Sequence, residues 1–216
     1  AYRPKGIKVV GTMCMVRNSI GPNSYVADEI IVSRAGKRVR IGNTDAEGRM
    51  VMADPLCEMK ERAANEVNPQ IMTIATLTGH VIRAYGVHYT GVMENGPAKK
   101  LGLAKMLFDV GEKCGDPFEI STIRRDDFET HTGKTESDDV FQSVGGGSTN
   151  NPRGHQAPSA FLIMASGLDA HGRDSDKPLP YCHLDIAGSS GDYPQPATGR
   201  PVVAMAQAYI FNRESM

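Results

Sequence analysis

The 216 residues lack several features that would sort them at once into a functional class. The four cysteines, Cys14, Cys57, Cys114 and Cys182, are widely scattered and form no CxxC pair, which argues against a disulfide framework or a zinc knuckle. They read as reduced, mostly buried thiols, and a cytoplasmic setting is the expectation. No run reaches the roughly 18–20 apolar residues of a membrane span, so no membrane partner is expected. Charge of one sign is also missing. Lys and Arg number 24 against 25 Asp and Glu, and the net charge of −1 supplies no general pull towards nucleic acid. Lys99/Lys100 and Arg124/Arg125 read as solvated surface pairs. His80 and His88 do not form the HExxH spacing of a helical zinc site.

Strand-like and helix-like runs alternate along the chain. Ile7–Met15 is short, apolar and β-branched at its start, and predicts a buried strand. Glu29–Ser33 and Lys37–Ile41 predict a hairpin around Arg34-Ala35-Gly36. A helix is expected over Met50–Glu66, with Met50, Met52, Leu56, Met59 and Ala63 on its apolar side. Ile71–Leu77 predicts a second buried strand, closed by Thr78-Gly79, while His80–Tyr89 fits strand or helix. Pro97–Cys114 predicts one amphipathic helix bearing Leu101, Leu103, Met106, Leu107 and Val110. The stretch Gly115–Gly154, with Gly145-Gly146-Gly147, reads as a long functional or mobile loop. A helix over His155–Leu168, a strand over His183–Ile186 and a closing helix over Pro201–Phe211 complete the pattern. Alternation of this kind gives an α/β fold with a mixed central sheet flanked by helices.

Asp45 and Glu47 are separated by one residue. In extended backbone that spacing puts both carboxylates on one side, where they repel unless a cation or proton sits between them. Carboxylate oxygens suit Mg²⁺, Mn²⁺ or Zn²⁺. Arg49 adds a permanent cation with a planar fork, able to balance the pair or hold another anion. The spacing alone equally fits a helix N-terminus, with acidic residues on the dipole and Asn43 or Thr44 as cap.

The full heptapeptide Asn43–Arg49, NTDAEGR, is similar at all seven positions to the signature of the leucine (cytosol) aminopeptidase family. Three further blocks resemble that family in the same order: ATLTG at Ala75–Gly79, HLDIAG at His183–Gly188 and TGRP at Thr198–Pro201. The stretches GNTDAEGRMVMAD (residues 42–54) and RGHQAPSAFLIMASGLDAHG (residues 153–172) look most like an aminopeptidase-like branch found in animals. The resemblance implies a metal-dependent aminopeptidase that releases N-terminal residues from peptides with a free N-terminus. It implies that Asp45 and Glu47 ligate two divalent ions (Zn, Mn or Mg), and that Arg49 holds a bicarbonate acting as general base. It also places Thr76, Leu77, Gly79 and Ala187 at the substrate. By the same likeness the protein assembles as a homohexamer. His183 is not a ligand in the family and reads as a core histidine, and Asp185 reads as a hydrogen-bonding residue of its turn.

The family pattern also carries a lysine-and-aspartate metal block upstream of NTDAEGR, and these residues do not contain it. Residues 1–216 are therefore expected to be the C-terminal portion of a catalytic domain, inactive as a peptidase when isolated. The competing expectation is a non-catalytic assembly subunit that keeps the fold. Pro55 departs from the pattern too: either the helix after Arg49 starts late or it is kinked.

Overall fold

A computed structural model describes residues 5–17, 20–144 and 151–211. Its centre is a four-stranded sheet ordered β3 (Ile71–Ala75), β7 (Tyr181–Asp185), β4 (Thr90–Glu94), β5 (Phe118–Thr122). β3 runs parallel to β7, with Thr73 opposite His183 and Ala75 opposite Asp185. β7 is antiparallel to β4, which runs parallel to β5. A strand buried on both faces must fill two cores. β7 does so by alternation: Tyr181 faces one core, while Cys182 and Leu184 face the other. The first core is closed by α1 (Glu47–Ala63) and α6 (Ala157–Ala165), through Met52, Leu56, Phe161 and Leu162. The second is closed by α3 (Gly96–Leu101), α4 (Leu103–Cys114) and α7 (Val202–Ala206), through Ala98, Leu107, Val110 and Ala204. The remaining helices, α2 (Gly79–Tyr85) and α5 (Arg125–Thr130), follow β3 and β5 respectively.

A smaller three-stranded sheet carries the signature. β1 (Ile30–Val32) and β2 (Arg38–Arg40) form the expected hairpin, with Ile31 opposite Val39. The short strand β6 (Val140–Phe141) lies parallel to β2, with Val39 opposite Val140. It is pinned there by the buried Asp138, whose carboxylate meets Arg40 at 3.2 Å. Burial alone would raise the Asp138 carboxyl, but hydrogen bonds from Thr135, the Lys134 amide and Arg40 hold it well below the usual carboxylate range.

Several expectations fail for physical reasons. Residues 7–17 form no strand, and Val9 and Met13 are 76% and 83% exposed. An apolar run becomes a strand only where a neighbour supplies hydrogen-bond partners, and no described strand pairs with it. The stretch Gly115–Gly154 is no simple loop, because β5, α5 and β6 fall inside it; the Gly145-Gly146-Gly147 run lies outside the described residues. The single helix expected over Pro97–Cys114 is two helices. Gly102 takes a left-handed conformation (φ 69°) between them, which turns Leu101 outward. Of His80–Tyr89, residues up to Tyr85 belong to helix α2 and the rest form a turn, and strand β4 follows where the sequence pattern predicts none.

Helix α1 starts at Glu47, three residues before the expected Met50, so Pro55 stands in its interior rather than its first turn. An interior proline removes a backbone hydrogen bond and crowds the preceding turn, at about 3 kcal/mol. Its rigidity returns about 0.4–1 kcal/mol by restricting the unfolded chain. Pro55→Ala is therefore expected to stabilise the protein by about 2 kcal/mol, read as a higher urea midpoint at unchanged slope.

Candidate active site

The signature begins where β2 ends. Asn43 builds a local turn: its side-chain Oδ1 accepts from the Asp45 amide at 2.9 Å, and its carbonyl accepts from the Ala46 amide at 3.1 Å. The chain then enters α1 at Glu47, with Ala46 as a cap that contributes no side-chain bond. The extended backbone expected for Asp45–Glu47 is thus replaced by a turn running into a helix. Asp45 is exposed and Glu47 half-buried, both at the N-terminal end of α1, where the helix dipole favours anions. Of the two readings of the spacing, the helix entry is the one the backbone adopts.

Arg49 points from the first turn of α1 towards the core. Its Nη1 donates to the Gln142 carbonyl at 2.8 Å, and its guanidinium carbon lies 5.9 Å from the centre of the Phe161 ring. Burial lowers its pKa to about 10, against the opposing pull of the Glu47 charge. Its Nε is buried without a hydrogen-bond partner among the described residues. A buried guanidinium with an unused donor suits a small oxyanion or a water. That donor fits the anion the resemblance assigns to Arg49.

Gln142, just beyond β6, holds the turn from inside. Its Oε1 accepts from the amides of Gly42 (3.0 Å) and Asn43 (2.9 Å), and its Nε2 donates to the carbonyls of Asn43 (2.7 Å) and Ala46 (3.1 Å). Gly42 permits this approach: a Cβ there would lie 2.4 Å from both the Phe141 ring and Ser143 Oγ. Nothing in the sequence singled out Gln142, since all its side-chain partners are backbone groups.

The expected substrate-binding residues converge on the same end of the sheet. Thr76, Leu77 and Gly79 follow β3, with Thr76 and Gly79 exposed and Leu77 half-buried. A Cβ at Gly48 would lie 3.5 Å from Leu77 Cδ1, so the signature helix and the ATLTG block lie against each other. Asp185, fully buried at the end of β7, joins that block to Ala187. Its carboxylate accepts from the amides of Leu77 (3.1 Å), Thr78 (3.4 Å) and Ala187 (3.2 Å), and from the Thr78 hydroxyl (2.7 Å). Burial pushes the Asp185 carboxyl up, and these four bonds pull the other way. The expected turn role of Asp185 is thus borne out and extends to a second loop. His183 is a core residue, as expected. Its Nδ1 shares a 2.8 Å bond with Thr73 Oγ1, and burial lowers its pKa to about 3.

As for metal, Asp45 and Glu47 offer two hard oxygen donors. Among the described residues no group of three or more His, Cys, Asp or Glu side chains is placed to hold an ion. The oxygen chemistry of these two carboxylates suits divalent ions, but two carboxylates alone are too few ligands to hold a pair of them.

Residues 2–206 match the family model described as the catalytic domain of the cytosol aminopeptidase family. The chain belongs to this family. A Caenorhabditis elegans protein named as an aminopeptidase is 49% identical over 208 residues, covering 96% of this chain and 40% of its own length. Proteins named as cytosol aminopeptidases from Persephonella marina and Aeromonas hydrophila are 31% and 30% identical, over 96% and 97% of this chain and 38% and 37% of theirs. The higher identity to an animal relative agrees with the likeness of residues 42–54 and 153–172 to the animal branch. The chain spans about two fifths of the length of the curated relatives it matches. No helix among the described residues is long and apolar enough to cross a membrane.

Proposed function

We propose that this chain supplies one half of the active site of a metal-dependent aminopeptidase acting on peptides with a free N-terminus. The observation that carries the reading is the convergence of three separated blocks. Glu47–Arg49 packs on Leu77 through Gly48, and Asp185 ties Leu77 to Ala187. Asp45 and Glu47 would hold a pair of divalent ions (Zn, Mn or Mg) together with donors from beyond this chain. When bound, such ions supply a polarised carbonyl and an activated water.

The chain's own residues then have distinct tasks. Arg49 orients a small oxyanion such as bicarbonate through its unused Nε donor, at a buried position where a fixed charge acts strongly. The amides of Leu77 and Ala187 are committed to Asp185, so neither is left to bind substrate. Leu77 acts through its carbonyl, which can accept from a substrate N–H, and through its side chain. Ala187 acts as a small wall for the N-terminal side chain. Thr76 and Gly79 line the exposed approach. By the same resemblance we place the full-length protein in the cytoplasm as a homohexamer with leucyl-type preference.

The test uses the full-length protein. Leu-amide hydrolysis is expected with Mn²⁺, abolished by chelation and restored on adding the metal back. The isolated 216 residues are expected to show neither hydrolysis nor stoichiometric Mn²⁺ binding, because two carboxylates are too few ligands. A full-length protein that folds, assembles and hydrolyses no N-terminal amide would instead support the non-catalytic assembly subunit.

A further inference from the structure

We propose that Gln142 is the positioning residue of the metal-holding turn: it sets the Asp45–Glu47 carboxylates and the Arg49 guanidinium in one fixed relation. The proposal rests on the aminopeptidase reading above. A primary amide can accept through its oxygen and donate twice through its nitrogen. Gln142 uses both ends of its amide on four backbone bonds, all to the turn that carries Asp45. Two of those partners, Asn43 and Ala46, bracket Asp45, and Ala46 separates it from Glu47. The main chain of Gln142 deals with the third member, because its carbonyl accepts from Arg49 Nη1.

Gln142 is itself immobilised. Its amide donates to the Arg40 carbonyl at 2.9 Å, continuing the β2–β6 pairing. Its neighbour Phe141 exchanges bonds with His131 on the other side: the Phe141 amide donates to the His131 carbonyl at 2.8 Å, and the Phe141 carbonyl meets His131 Nδ1 at 2.7 Å. The anchor therefore runs from the small sheet through one buried side chain into the turn. Such an anchor has a purpose where a turn carrying two carboxylates must keep one backbone conformation before any cation arrives. A loop needing only to connect β2 to α1 has no need of four bonds from a residue about a hundred positions away.

The experiment compares wild type and Gln142→Met in the full-length protein, since Met roughly keeps the volume and deletes all four bonds. Direct titration with Mn²⁺ alone is expected to show a 10–100-fold weaker affinity, the range for residues that orient metal ligands. With Leu-amide, saturating Mn²⁺ should restore much of kcat while KM stays unchanged. A loss of folded protein with unchanged Mn²⁺ half-saturation would overturn the positioning role. Should Gln142→Met not fold, the wild-type protein still decides the matter by hydrogen exchange. The Gly42 and Asn43 amides, outside any strand and with Gly42 exposed, are expected to exchange at least about 10²-fold more slowly than free amides. Unprotected exchange there overturns the proposal. A wild type that neither binds Mn²⁺ nor hydrolyses Leu-amide overturns the aminopeptidase reading itself. An active wild type matched by Gln142→Met in Mn²⁺ affinity overturns the Gln142 role alone.

Discussion

Acidification from pH 6.5 to pH 4 is expected to remove most of the protein's stability, and three buried histidines set that window. His131 and His183 are fully buried and His155 nearly so. Burial lowers their pKa values to about 4, about 3 and about 4 respectively; Arg49 pushes His131 and His183 further down, and His80 and Arg153 do the same to His155. Burial holds each ring neutral, against the partial opposition of the bonds that His131 makes with the Phe141 carbonyl and His183 with Thr73. In the unfolded chain the same side chains titrate near 6.5. Below that pH the unfolded state binds protons that the folded state refuses, so stability falls as pH falls and is whole above 6.5. Each histidine contributes about 1.4 kcal/mol per pH unit across its window, hence about 4 kcal/mol per unit for three together. Against a typical total of about 5–15 kcal/mol, the fold should fail within roughly two pH units. Urea midpoints measured from pH 8 to pH 4 check this. Replacing His183 by Gln should make the slope shallower by about one third, and a midpoint independent of pH above 4 would refute the assignment.

These histidines also show what a sequence can and cannot display. His183 reads as a core residue because the family it resembles does not use it as a ligand, and β7 buries it. The signature stands out for a different reason: Asp45, Glu47 and Arg49 alternate within five residues, so local spacing contains their relation. Even there, spacing did not choose between extended backbone and helix entry; the Asn43 turn did. Gln142 was out of reach, since it acts on backbone groups far away in the chain and leaves no pattern of side-chain types. The run Ile7–Met15 misled for the converse reason. Its composition suits a strand, but strand formation depends on a partner edge, which lies outside the run. Gly102 was read as one more residue of an amphipathic helix, because a single glycine costs a helix only about 1 kcal/mol. The left-handed turn and the second helix start it supports won that small contest.

Asp185→Ala is expected to destabilise the protein by about 4 kcal/mol, whereas Asp185→Asn should cost only about 1–2 kcal/mol. The contrast follows from what each leaves unpaired. Alanine orphans the amides of Leu77, Thr78 and Ala187 and the Thr78 hydroxyl together; the Thr78 groups are buried and the other two part-buried, so the unpaired groups are costly. Asparagine keeps an oxygen where Oδ1 serves the three amides. Its NH₂ can donate to Thr78 Oγ1, which has a second lone pair beyond the one given to the Val81 amide. Asparagine also removes the penalty that burial places on the Asp185 carboxylate, which offsets part of the lost charge-assisted bonding. The functional readout should separate the variants in the same order. With the ATLTG and HLDIAG loops released from each other, Asp185→Ala in the full-length protein should, on the proposed aminopeptidase reading, raise KM for Leu-amide steeply in whatever fraction remains folded. Asp185→Asn should stay within a few-fold of wild type. Equal urea midpoints for the two variants would mean that Asp185 acts by charge rather than by collecting these four donors, and the link between the ATLTG and HLDIAG loops would fall with it.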